Sequence, residues 1–183
     1  TMPRENLLTV AATRLARLPF ALFSDKSFEA PEKVLVLQTC CLSQVMLATP
    51  LLAVLQEAYP EARFDWAVSD WARPAIVGNP RLTEVISIGT EDLRKRSWRQ
   101  VADLVRRLRA GWYDTCFIVS RSGLLSYVAW QARIPQRIGL NIQSRGFAHT
   151  IAVRPPREEN HAALIYLSLA RAVGIKEEVI SSA

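Results

Sequence analysis

What this 183-residue chain lacks narrows its chemistry first. Its longest apolar runs, such as LLAVL and VLVL, fall far short of the roughly 20 residues a membrane-spanning helix needs. The amino-terminal stretch has no uninterrupted apolar core, because Arg4, Glu5, Arg14 and Arg17 break it, which argues against a secretory signal. Thr1 ahead of Met2 reads as an extra residue before a native start. Cysteine is scarce: Cys40, Cys41 and Cys116 make an odd count with two adjacent, poor geometry for a disulfide, so a reducing, cytosolic setting is expected. No metal-ligand spacing is present, and no metal or cofactor is expected. The two histidines, His149 and His161, have no motif around them and read as structural. Trp66, Trp71, Trp98, Trp112 and Trp130 are dispersed, without the interleaving of basic and aromatic residues that lines a single-strand groove, so no nucleic-acid partner is expected.

What is present fits one globular domain with a sizeable core: half the residues are apolar and 22% are charged. With 23 basic and 17 acidic residues the net charge is +6, which favours phosphates, nucleic acid or an anionic membrane without choosing among them.

Leu7, Leu8, Val10, Ala11, Leu15 and Leu18 recur at helical spacing among Arg4, Arg14 and Arg17, and Pro19 ends the pattern. This predicts a short basic amphipathic helix, either packed on its own domain or lying on anionic lipid. SDKSFEAPE follows as a linker, so residues 1–32 form an amino-terminal extension. Apolar runs at Val34–Leu37, Phe64–Val68, Val85–Ile88 and Cys116–Val119 are separated by helical patterns, of which Trp98–Leu108 places Val101, Leu104, Val105 and Leu108 on one face. Leu124–Ala132 reads as a helix, Arg137–Leu140 and Ile151–Val153 as strands, and Ala163–Val173 as a closing helix with Asn160 as N-cap and Gly174 just past its end. Alternating strands and helices predict an α/β fold, a Rossmann-like parallel sheet with helices on both faces, over residues 33–175. Residues 176–183 read as the start of a linker or a tail.

Ligand sites in open α/β sheets lie outside the carboxyl ends of the strands, which directs attention to the loop TCCLSQ after the first strand. If the next helix starts at Thr49, that residue is an N-cap with Pro50 at N1; Ser43 can equally cap an earlier turn. Either way the backbone N–H groups of residues 39 to 49 crowd at a helix N-terminus, a cradle for a phosphate or a sugar hydroxyl. The loop has no glycine, which argues against a dinucleotide fingerprint, and no Gly-Lys-Ser/Thr ending, which excludes a P-loop. Neither Cys40 nor Cys41 has an evident base to activate it.

The stretch VLVLQTCCLSQVMLATPLL, with Gln38, Thr39, Cys40, Cys41, Leu42, Ser43 and Gln44 in the loop and Thr49-Pro50 after it, resembles the opening of lipopolysaccharide heptosyltransferase-type glycosyltransferases, family 9, where a loop of the form R-L-(G/S)-A-(L/I)-G-D leads to a helix beginning near T-P-L-L. The resemblance extends through AYPEARFDWAVSDWARPAIVGNPRLTEVISI, YDTCFIVSRSGLLSYVAWQARIPQRIGL and HAALIYLSLARAVGI, from Lys33 to Ile175. It implies the first, acceptor-side lobe of a two-lobed GT-B architecture that moves a sugar from a nucleotide-sugar donor to a glycolipid or phosphorylated sugar acceptor. The donor would be held by a carboxy-terminal lobe outside this sequence. A setting in the cytoplasm, at the inner face of the membrane, is implied as well, with peripheral contact to anionic lipid. The lobe alone is expected to be inactive.

The same resemblance places Gln44 where the family's general-base aspartate stands, and an amide cannot take a proton at neutral pH although it can orient a hydroxyl. Asp70, just past the second strand on the same edge, is the substitute base to consider; Asp65, inside that strand, and Asp114, ahead of the fourth, are misplaced for it. Thr39, Cys40, Cys41 and Ser43 supply loop contacts to substrate. Ser120, Arg121 and Ser122 follow the fourth strand, and Arg121 can fork onto a phosphorylated core. Arg137 and Arg145 flank the next strand and turn as phosphate contacts. Arg94, Lys95, Arg96 and Arg99 read as a solvated face. A non-catalytic sugar-binding or scaffolding module is the alternative that Gln44 motivates, and an unrelated nucleotide-binding Rossmann protein is a second.

Overall fold

The computed structural model describes residues 27–39, 41–89, 97–120, 122–142, 147–155 and 161–182. The amphipathic helix expected over residues 7–18 and the basic residues Arg94, Lys95 and Arg96 lie outside the described residues, and the helix expected to be capped by Asn160 has His161 as its N-cap instead.

Six strands form one sheet: β1 (Lys33–Leu37), β2 (Arg63–Val68), β3 (Glu84–Ser87), β4 (Thr115–Ile118), β5 (Gln136–Leu140) and β6 (Ile151–Val153). All pairings are parallel and the spatial order is β3-β2-β1-β4-β5-β6. The sheet therefore reverses direction of growth between β1 and β4, where Val34 to Leu37 lie opposite Thr115 to Ile118. Central strands buried on both faces need continuous apolar sequence, which VLVL and TCFI supply. Alternation then divides the core. Val34, Val36, Phe64, Trp66 and Phe117 face the helices α1 (Leu42–Leu47), α2 (Thr49–Ala58), α5 (Ala162–Ala172) and α6 (Glu177–Ser181). Leu35, Leu37, Ala67, Cys116 and Ile118 face α3 (Trp98–Ala110) and α4 (Gly123–Gln131). The doubly covered parallel sheet matches the expected fold class.

Two boundaries depart from expectation for instructive reasons. The helix after β1 is split: Pro50 cannot donate to Met46, and the Thr49 hydroxyl donates to the Met46 carbonyl instead, at 2.7 Å. Helix α1 thus ends at Leu47, and the N-cap of α2 is Ala48 rather than Thr49. Beyond Ile175, where a linker or tail was expected, α6 packs back on α2 and α5 and buries Ile180. Arg171 holds its first turn through Glu177 at 2.6 and 2.8 Å. Strands β3 and β4 end one residue before their apolar runs do. Ile88 and Val119 are buried and still donate to Val68 and Leu37, but lie past the assigned strands.

Candidate functional site

The carboxyl edge of the sheet is organised around a polar side chain that the apolar run VLVL leads into. Gln38 is 2% exposed, and its Nε2 donates to the Val119 carbonyl at 2.9 Å, tying the ends of β1 and β4 together at the reversal point. The same Nε2 lies 3.4 Å from the Tyr166 hydroxyl, which reaches over from α5. Tyr166 in turn donates to Gln44 Oε1 in the first turn of α1. A chain of contacts, Gln38 to Tyr166 to Gln44, thereby fixes the loop after β1 against α5 on the same face of the sheet. Gln38 and Tyr166 were not singled out from the sequence. The available signals were a polar residue directly after a buried run and a phenol within the apolar helix AALIYLSLARA.

The loop is tighter than its sequence predicts. Cys41, half-buried, is the N-cap of α1, with Val45 donating to its carbonyl at 3.0 Å, and Ser43 is already inside the helix with its hydroxyl 3.5 Å from Cys41 Sγ. The expected crowding of amides from 39 to 49 at one N-terminus is therefore corrected: Val45 and Ala48 donate within α1, and Pro50 has no N–H. Thr39 is half-buried at the loop's start, and Cys40 lies outside the described residues.

On the other side of the reversal point, Ser120 accepts from the Ser122 amide at 3.2 Å, and Ser122 is the N-cap of α4 without a side-chain cap bond. Arg121 and Arg145 lie outside the described residues. Asp70 follows β2 and is half-buried; its amide donates to the Gly89 carbonyl at 3.2 Å and its carboxylate accepts from the Ser87 hydroxyl. Asp70 therefore braces the ends of β2 and β3, and at the strand ends among the described residues it is the carboxylate on this edge.

Arg137 is a correction. It is 8% exposed at the second position of β5, and its guanidinium donates to the backbone carbonyls of Ala148 and Ile134, each at 2.6 Å, and of Pro135 at 3.3 Å. Its donors secure the segment from β5 to β6 instead of facing a phosphate. Beside it, His149 packs flat on Gly139, where a Cβ would stand 2.5 Å from the ring, and its Nε2 lies 2.8 Å from Ser126 Oγ. Burial, with the nearby Arg137 charge second, pushes the imidazole down to about 4, so it is neutral at pH 7. Burial also pushes the Cys116 thiol up, away from nucleophilic use. Asp65 accepts from Tyr113 at 2.8 Å and faces Lys33 at 3.7 Å, while Asp114 accepts from the amides of Glu32 and Lys33; both are structural.

Chemically, this edge offers the Gln44 side-chain amide and the hydroxyls of Ser43 and Ser120, groups of the kind that hydrogen-bond a hydroxyl-rich guest. No helix among the described residues is long and apolar enough to cross a membrane.

The chain is 28% identical over 142 residues, 73% of its length, to lipopolysaccharide heptosyltransferase 2 of Escherichia coli (strain K12), of which the match covers 40%. Among solved structures, a glycosyl transferase family 9 protein from Veillonella parvula superposes on 82% of the chain and 44% of its own, at 24% identity and a TM-score of 0.71. The E. coli heptosyltransferase WaaC with ADP matches 79% of the chain and 48% of its own, at 17% identity and a TM-score of 0.64. No protein-family model matches. The chain thus resembles one heptosyltransferase-like lobe of the GT-B architecture and spans less than half the length of these relatives.

Proposed function

We propose that this chain is the acceptor-side lobe of a heptosyltransferase-like glycosyltransferase, presenting a lipid-linked or lipopolysaccharide-type glycan to a nucleotide-sugar held by a second lobe. The observation that carries this reading is the 142-residue similarity to lipopolysaccharide heptosyltransferase 2, combined with a polar, glycine-free loop at the reversal point of the sheet. WaaC has been solved with ADP and with ADP-2-deoxy-2-fluoro heptose, which supports a nucleotide-sugar donor of that class. The glycine-free loop here is a poor seat for a pyrophosphate, which supports a donor held elsewhere and an acceptor on this edge.

In transfer, the acceptor oxygen attacks the anomeric carbon, the bond from that carbon to the nucleotide diphosphate breaks, and the hydroxyl proton must leave. Gln44, braced by Tyr166, orients the hydroxyl but cannot take the proton. We assign that step to Asp70, the carboxylate past β2 on the same edge, and further acceptor contacts to Ser120, Ser122 and Ser43. The loss of general-base help at position 44 alone corresponds to about 10²–10⁴-fold in rate. Gln44 also favours a second reading, in which the lobe binds glycan without catalysis.

Calorimetric titration of the chain with de-acylated lipopolysaccharide core and, separately, with ADP tests the assignment. Glycan binding that weakens in Gln44→Ala and Ser120→Ala, with no response to ADP, is the expected result. A chain that binds ADP and ignores the glycan contradicts it.

A further inference from the structure

Three of the five tryptophans lie on the helical layer that covers one face of the sheet; Trp130 packs partly on Tyr127, while Trp98 and Trp112 project most of their surface outward. Trp98 at the start of α3 is 76% exposed, Trp112 just past its end 87%, and Trp130 on α4 38%. With the residue just past each C-cap included, which adds Arg133, this layer carries five arginines against one aspartate, and that aspartate, Asp103, is paired with Arg106. The helices on the opposite face carry one arginine against three glutamates. Among the described residues, the two helical layers therefore differ in charge, and the α3/α4 layer is the basic one.

Backbone conformation supplies an independent observation. Helices α3, α4 and α5 all end with a left-handed residue at the same cap position. In α5 it is Gly174 at φ 83°, the residue type that adopts this conformation without strain. In α3 and α4 it is Trp112 at φ 53° and Arg133 at φ 61°, the only non-glycine residues with positive φ among those described. Both are exposed. Side chains held in a strained conformation, on the surface, where glycine would fold more easily, have their use outside the fold.

We infer that the outer surface of α3 and α4 rests on an anionic phospholipid bilayer. Indoles settle at the headgroup level, and arginines pair with lipid phosphates. The spacing favours a broad, flat partner: Trp98 and Trp112 stand at the two ends of α3, about 20 Å apart at 1.5 Å per residue, with Arg99, Arg106 and Arg109 exposed between them. A protein partner would call for anchors clustered at the centre of the patch. The inference holds whether or not the carboxyl edge takes a glycan.

The test uses the full chain and vesicles of phosphatidylcholine with or without phosphatidylglycerol, some carrying brominated acyl chains. Residues 1–26 contain no tryptophan, so indole quenching reports the surface in question. Binding should require phosphatidylglycerol, and quenching should fall in the Trp98→Phe, Trp112→Phe double variant while persisting in Trp71→Phe. Reversing Arg99, Arg106 and Arg109 to Glu should weaken binding on the order of tenfold or more. Reversing the exposed Arg63, Arg81 and Arg154, an equal change in net charge elsewhere, should weaken it far less. Trp112→Gly should keep or raise the melting temperature while binding drops, which separates the role from folding. Absence of binding to phosphatidylglycerol vesicles, equal loss in both arginine sets, or quenching that depends on Trp71 alone overturns the inference.

Discussion

At the scale of residues, position 139 shows how tightly one side chain can dictate another. The His149 ring occupies the space a Cβ would take, and neither can move without the other. Gly139→Ala should lower stability by about 1–3 kcal/mol, the usual range for overpacking a buried site, read from thermal or denaturant unfolding. The same histidine gives the molecule an acid sensitivity. Its folded value of about 4 lies below the ordinary 6.5, so the unfolded chain binds the proton more readily. Its contribution is complete above pH 6.5 and is lost as pH falls toward 4, an amount of about 3 kcal/mol. His149→Gln should flatten that part of the stability profile, measured by urea unfolding across this range. The sequence allowed His149 to be read as structural but not its partners, and Arg137, standing without motif, invites a reading as a phosphate contact. Its actual partners are main-chain carbonyls, and a carbonyl leaves no signature in residue type.

At the scale of elements, the central strands β1 and β4 were legible to within a residue because a strand buried on both faces must be apolar, while the edge strands β3 and β6, only partly buried, were legible as short apolar runs between helices. Helix ends were less so. The split between α1 and α2 depends on Pro50 and on a threonine hydroxyl that takes over a carbonyl, and the sequence TPLL alone is compatible with a single cap. Helix α6, only EEVIS, is too short and polar to show a period, and its place in the fold rests on Ile180. Ile180→Ala should cost about 2–4 kcal/mol in urea unfolding, as for other buried aliphatic truncations, whereas a mere tail would cost nothing measurable. Trp112→Gly, by contrast, should add about 1 kcal/mol by relieving the left-handed strain.

At the scale of the whole molecule, strand order reverses between β1 and β4, and the sequence pattern put the TCCLSQ loop at the carboxyl end of β1, beside that reversal, where the proposal seats the ligand. The pattern did not show how the edge is braced, because Gln38 and Tyr166 are 128 residues apart and meet only in the folded chain. That brace gives Gln44 its orientation. Tyr166→Phe should therefore weaken glycan binding severalfold, checked by the same calorimetry, while Gln44→Asp, one methylene shorter, gives up the reach to the phenol but sets a carboxylate where the family resemblance expects one. The central claim is that the edge, rather than either helical face, receives the glycan. Hydrogen–deuterium exchange of the chain with and without de-acylated lipopolysaccharide core tests it directly. Protection confined to residues 38–45 and 119–123 is the predicted result, and protection confined to α3 and α4, or to the amino-terminal ends of the strands, would contradict it.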